Sequence, residues 1–300
     1  MHINGIGIIS SVGRGLEAHR GAMAAPLAVT ADGLHRVQEK YLKDPVLTKD
    51  ARRADRFDRM AILAGLDALR DAGISSDTHA STVGLILATG LGPHVTTFRF
   101  LDDMINFKEK DVSPTLFSHS VHNAAASYLS LLAGIRGPTL TVTRFSFAFH
   151  EALNLANVWL EQKRCEHVLI GAVDELGAVM EQIVRLRSSD ANILSGEGSV
   201  FFVLSREHSN RNYGVIEPGQ NTIANDQSVF LETDSIVAFF GDQPCLAALS
   251  CATAALLLND PKLYQSISSK LLVQKKSLSP KSCIFISRDC HGTSRMIKIS

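Results

Sequence analysis

The chain has 300 residues, of which 45% are hydrophobic and 20% charged, a balance that fits one or two packed domains and excludes a disordered or low-complexity chain. Thirty basic residues cancel thirty acidic ones, so no net field draws the chain to nucleic acid or to an anionic membrane. With no apolar run of about 18–20 residues, no basic-then-apolar leader after Met1, and five scattered cysteines (165, 245, 251, 283 and 290) lacking a C-x-x-C pair, the expectation is a cytoplasmic protein without a membrane span, metal site or disulfide framework.

Short apolar runs alternate with helical patterns through the first two hundred residues. Residues 3–9 predict a strand. Residues 54–72 place Phe57, Met60, Ala61, Ala64, Ala68 and Leu69 near one helical face, and Gly73 is the stop signal. Buried strands follow at 83–89, 140–143, 168–173 and 200–204, with a helix over 148–162. Continuous apolar strands separated by helices point to an α/β fold with helices covering the sheet. Residues 206–226 are polar and rich in Asn, Gly and Pro, as a connection would be. A buried helix over 244–258 and two weaker strands, 283–287 and 296–299, complete the chain. The division falls between residues 1–208 and a shortened second half, 209–300.

Five segments, in order and at fitting spacing, resemble the β-ketoacyl synthases of the thiolase superfamily. Arg52-Arg53-Ala54-Asp55-Arg56-Phe57, running into a helix that ends Leu69-Arg70-Asp71-Ala72-Gly73, is similar to that family's first long helix. Val112-Ser113-Pro114-Thr115-Leu116-Phe117, with Asn123 and Ala126 after it, resembles the segment before the active-site strand. Gly134-Ile135-Arg136-Gly137-Pro138-Thr139-Leu140-Thr141-Val142 resembles the approach to the nucleophile. Gly171-Ala172-Val173-Asp174-Glu175 is similar to a later strand end, and Ser195-Gly196-Glu197-Gly198 to the turn before the first half's last strand. The resemblance is good over residues 1–205 and poor beyond them. It implies a thiolase-like layered α/β/α/β/α architecture with a reduced C-terminal half, and dimerisation along a strand beside the nucleophile.

Condensing members of this family need a cysteine at the tip of a buried helix, where end amides and the helix dipole hold the thiolate, and two histidines that assist decarboxylation. Counting from Gly137-Pro138, the nucleophile position falls on Ser146, preceded by Thr143-Arg144-Phe145. A serine hydroxyl needs a neighbouring base. Residues 209–250 contain no histidine, and Gly241-Asp242 stands where the resemblance implies a Gly-His pair. His291-Gly292-Thr293 copies the other histidine motif but lies after the late helix.

His150, one helical turn from Ser146, is the candidate base in an alternative reading, a serine-dependent acyltransferase acting on carrier-protein thioesters. It lacks an orienting carboxylate, since Glu151 points about 100° away on a helix. Phe145, Phe147 and Phe149 alternate around the site, where they either fill acyl space, lean on a dimer seam, or pack in the core. Arg144, set between aromatics, needs a counter-charge, for which a partner subunit is one source. His119 and His122 have no third ligand nearby and are expected to make structural hydrogen bonds. Neither Gly5-x-Gly7 nor Gly90-x-Gly92 completes a dinucleotide fingerprint.

Loss of the thiol on a retained scaffold resembles the chain length factors of type II polyketide and fatty-acid systems, including those making aryl polyenes. That likeness implies a non-condensing homologue with no cofactor of its own, paired as a heterodimer with an active ketosynthase subunit. It would shape the tunnel for a phosphopantetheine-tethered acyl chain carried by an acyl carrier protein. Phe117, Val121, His122, Arg144, Phe145, Ser146 and Phe147 are the residues expected at the seam and tunnel.

Overall fold

Apolar runs without polar alternation demand cover on both faces, and in the computed structural model of the chain they form the centre of a six-stranded sheet. The structure describes residues 1–24, 33–75, 82–107, 112–187, 195–219, 228–231, 233–267, 280–289 and 293–300. Its strands are β1 (His2–Ser10), β2 (Gly13–Arg14), β3 (Leu34–His35), β4 (Val83–Thr89), β5 (Thr139–Thr143), β6 (His167–Asp174), β7 (Ser195–Gly196), β8 (Gly198–Ser205), β9 (Ile216–Gly219), β10 (Ser228–Leu231), β11 (Ser282–Arg288) and β12 (Ser294–Ile299). Its helices are α1 (Leu16–Ala24), α2 (Pro45–Lys49), α3 (Arg56–Asp71), α4 (His94–Phe107), α5 (Pro114–His119), α6 (Ala124–Leu132), α7 (Ala148–Glu161), α8 (Ala178–Arg187), α9 (Thr233–Phe240), α10 (Leu246–Asn259) and α11 (Pro261–Ile267).

The large sheet has the order β2-β1-β8-β6-β4-β5. Strands β4, β5 and β6 run parallel, while β8 is antiparallel to both β6 and β1. Central strands β4 and β8 are buried at every residue. Strand β5 lies at the edge and exposes Thr139, Leu140 and Thr143.

One face of this sheet is covered by α3 and α6. An Asp55–Asp58 capping box starts α3, with the Asp58 amide donating to the Asp55 carboxylate at 2.9 Å. Gly73, at φ +72°, ends it: the Ile74 amide reaches back to the Leu69 carbonyl at 2.9 Å and the Gly73 amide to Arg70 at 3.1 Å. The Gly5-x-Gly7 pattern finds its reason here. A Cβ at Gly7 would collide with the Ala64 carbonyl oxygen, so the glycines let β1 lie directly against the Ala64–Ala68 stretch of α3.

The other face carries α7 and α10. Helix α10 is buried almost all round, because it also supports a second sheet of order β10-β11-β12-β9. That sheet turns Ile216, Val229, Leu231, Cys283, Phe285, Ile297 and Ile299 into the shared core. Layers therefore stack as helix, sheet, helix, sheet, in the manner of the thiolase-like fold. The first sheet draws on residues 2–205 and the second on 216–299.

The polar stretch 206–226, expected as a plain connection, contains β9, whose Ile216–Gly219 backbone pairs with β12. Helix α4 and strand β10 were likewise not anticipated. Among the described residues no helix is long and apolar enough to cross a membrane.

Candidate functional site

A cavity of about 480 Å³ opens off the carboxyl ends of β4, β6 and β11. Its walls come from the turn between β5 and α7 (Phe145 to His150), from Leu91, from Glu175-Leu176 after β6, from Asp242-Gln243-Pro244 before α10, and from Phe285 and Ser287-Arg288-Asp289 on β11. Crevices beyond the carboxyl ends of parallel strands are where α/β folds commonly bind ligands.

The turn at residues 144–147 sets the site. The Arg144 amide donates to the Thr89 carbonyl at 3.1 Å, tying the end of β5 to β4. Phe147 then adopts φ +64° and ψ +18° as the N-cap of α7, a left-handed conformation that costs a residue with a Cβ about 1–2 kcal/mol. Its carbonyl accepts from the Glu151 amide at 3.0 Å. Ser146, one residue earlier, is half-buried on the cavity wall. The strained residue at the strand-to-helix turn is thus a phenylalanine, with the serine beside it.

His150 is 4% exposed, lines the cavity, and has no hydrogen-bond partner at either ring nitrogen. Burial, reinforced by the charge of Arg295, lowers its pKa to about 4, so it is neutral at pH 7. It makes no hydrogen bond to Ser146. Glu151 is engaged elsewhere, 2.9 Å from Arg144 and 2.7 Å from Arg295. No serine–histidine–carboxylate relay is assembled.

Arg144 is half exposed and pairs within the chain with Glu151 at 2.9 Å. The alternating phenylalanines all border the cavity but differ in burial: Phe145 is 82% exposed, Phe147 is buried at the turn, and Phe149 also packs in the core, 5.8 Å from the ring of Phe202. Phe117, Val121 and His122 do not line the cavity. Phe117 and Val121 are exposed, with Phe117 packed 5.5 Å from Phe100, while the His122 ring lies against Gly92 at φ +65°. His119 donates or accepts at Asp58, 3.0 Å away, and meets the Tyr128 hydroxyl at 3.3 Å, as expected of a structural histidine. His291 and Gly292 lie outside the described residues.

Acids behind the cavity hold the loops in place. Asp174 is fully buried and accepts from Thr89 Oγ1, the Gly90 amide and the Leu91 amide at 2.9, 2.9 and 3.0 Å; burial lifts its pKa to about 7. Burial also raises Glu175 to about 8, although it accepts from the Val95 amide at 3.0 Å. Glu197 pairs with Arg56 at 2.5 Å and accepts from the amides of Val37 and Leu176. Asp242, raised by burial, faces the cavity where the resemblance implies a histidine. Sequence reasoning missed Arg295, which reaches the turn from the second sheet and which no local pattern marks, and it saw Glu175 only as the end of a family-like strand, not as a cavity wall.

Comparison with known proteins adds family and fold. "Beta-ketoacyl synthase, N-terminal domain" describes the family that matches residues 28–208. Over 96 residues the chain is 30% identical to the 3-oxoacyl-[acyl-carrier-protein] synthase 2 of Vibrio cholerae serotype O1, covering 32% of this chain and 23% of that relative. The match therefore spans about a quarter of the relative's length. A solved type II polyketide synthase acyl-carrier protein in complex with its ketosynthase bound to the hexaketide gives a TM-score of 0.74 at 15% identity, covering 100% of this chain and 98% of the other. The ishigamide ketosynthase/chain length factor gives 0.62 at 16% identity, over 99% and 98%. At such identities the likeness is one of fold.

Proposed function

The chain belongs to the β-ketoacyl synthase family through its N-terminal domain, and on that footing we propose that it is a non-condensing homologue of the chain length factor kind. One observation carries the reading: the cavity at the head of α7 is walled by Ser146, Phe147 and a neutral, unpartnered His150, with no cysteine among its described lining residues. Condensation in this family needs a thiolate and two imidazoles, and the described lining offers one histidine, His150, and no thiol.

The partner in this reading is an active ketosynthase subunit. Among the described residues strand β5 ends the large sheet with an unpaired edge, and Leu140 and Phe145 beside it, with Phe117 and Val121, leave apolar surface exposed. An open edge with adjoining apolar side chains favours strand pairing with a second chain. The paired subunit would perform the chemistry on an acyl chain delivered by an acyl carrier protein, and residues 1–208 and the shortened half 209–300 would together bound the acyl space.

Co-expression with a full-length β-ketoacyl synthase from the same source tests this. The two chains are expected to co-elute, and the isolated chain to give no condensation product with malonyl- and acyl-carrier protein. Efficient condensation by the chain alone, or failure to associate with any such synthase, rejects the proposal.

A further inference from the structure

Phe147 is held from two sides. The Arg295 guanidinium lies 5.2 Å from the centroid of its ring, and the His150 imidazole meets that ring edge-on at 5.4 Å. Arg295 belongs to β12, in the second sheet, and is itself anchored by Glu151 at 2.7 Å; Glu151 is held in turn by Arg144 at 2.9 Å. A ring needs no such clamp merely to be buried. Nor does the helix start need a phenylalanine, since φ +64° favours glycine or asparagine. A strained backbone and a charged clamp spent on one ring at a cavity wall mark that ring's position as the purpose.

We infer that Phe147 is a plug, pinned by Arg295 over its face, that limits how much of a linear apolar chain the cavity admits. Arg295 is the positioning residue and acts through the ring. The inference deepens the acyl-shaping role proposed above and rests on it for the identity of the chain. Cation–π contact holds a ring more firmly where water is excluded, and Arg295 is only one-third exposed on its side chain. Glu151, shared between Arg144 and Arg295, keeps the guanidinium from swinging away.

Fluorescence titration of the full chain with cis-parinaric acid, a linear fluorescent fatty acid, tests the plug directly. Phe147→Gly removes the ring and suits the left-handed backbone, which offsets part of the lost packing; Phe147→Asn is a second variant that accepts the same backbone, and circular dichroism of each checks that the fold is kept. Both are expected to bind the probe about tenfold more tightly or better than the wild type, since two newly buried methylenes suffice for that factor. Arg295→Gln should raise affinity by a smaller factor, Arg295→Lys should restore the wild-type value, and Arg295→Gln combined with Phe147→Gly should bind no better than Phe147→Gly alone. Unchanged probe affinity in both Phe147 variants overturns the inference, as does an Arg295→Gln effect that multiplies in full with Phe147→Gly. Co-elution with a synthase is independent of these titrations, so each reading can fail without the other.

Discussion

His119 Nδ1 lies 3.0 Å from the Asp58 carboxylate, where α5 meets α3, with the Tyr128 ring stacked on the imidazole at 5.4 Å. Burial outweighs the histidine's pull and lifts Asp58 to about 6, while the hydrogen bond to Asp58 raises His119 above its ordinary value. Both groups hold a proton more tightly in the fold than in the unfolded chain. Each therefore stabilises the fold at low pH: the Asp58 contribution fades as pH rises through about 6, and that of His119 as pH rises through histidine's raised value. His119→Phe leaves a buried carboxylate without its donor, at a cost of about 3 kcal/mol when Asp58 is charged. Urea unfolding across pH 4 to 9 should show the variant less stable than wild type from the acid end to about pH 6, the gap narrowing as pH rises further and His119 loses its proton. A gap that does not vary with pH would mean that the pair contributes only packing.

Two glycines with opposite surroundings should respond oppositely to alanine. At Gly7 a Cβ has no room against the Ala64 carbonyl and the Ala68 amide, both backbone atoms of α3 that cannot yield without moving the helix. Gly7→Ala is expected to destabilise by about 3 kcal/mol. Gly21, exposed within α1, would meet nothing within 4 Å. Gly21→Ala should stabilise by about 0.5–1 kcal/mol, because alanine loses less backbone entropy in a helix. Chemical denaturation midpoints of the two variants give the comparison.

These glycines also show where sequence reading reaches its limit. Strands β4, β6 and β8 were legible because burial on both faces forces a continuous apolar run, and α3 and α7 because their apolar positions repeat at the helical period. Strand β9 was not. Ile216-Glu217-Pro218-Gly219 carries no strand pattern of its own and pairs only because β12 presents its backbone. Ser146, Phe147 and His150 could be placed at one turn by counting from Gly137-Pro138, and they do share a cavity wall. Arg295 could not be placed there, because its role depends on how the second sheet docks on α7, some 145 positions away in sequence (295 − 150). Phe117, Val121 and His122, expected at the seam and tunnel, lie outside the lining of this cavity, with Phe117 and Val121 exposed on the surface.

The end of α7 offers a stabilising change. Lys163 sits at φ +55°, just past the cap residue Gln162. Its amide donates to the Leu160 carbonyl at 3.2 Å, and the Arg164 amide donates to Trp159 at 2.9 Å. This is the double-bonded helix ending that glycine occupies most readily. The same arrangement closes α3, with Gly73 in the equivalent place. Lys163→Gly should relieve the left-handed strain and raise stability by about 0.5–1 kcal/mol, after subtracting the entropy glycine loses on folding. A thermal melt that rises by a few degrees would agree; a fall would mean that the Lys163 side chain makes a larger contribution than its backbone costs.

Ser146→Cys separates a missing thiol from a missing apparatus. If the hydroxyl were the only defect, a sulfur at this position would restore condensation. The surroundings argue otherwise. His150 is pushed to a pKa of about 4 by burial and by Arg295, so it carries no positive charge to lower a neighbouring thiol's pKa at pH 7. Glu175, raised by burial to about 8, and Asp242, also raised, wall the cavity too, and neither supplies the positive charge that holds a thiolate. Ser146→Cys is therefore expected to react with iodoacetamide slowly, with a rate that climbs only as pH rises above about 8 like an ordinary cysteine. It should yield no β-ketoacyl product when supplied with acyl- and malonyl-carrier protein, whether or not it becomes acylated. Mass spectrometry reads the alkylation and acyl adducts, and product analysis reads condensation. Recovery of condensation by this single substitution would place a working catalytic apparatus around Ser146 and remove the main support for a non-condensing role.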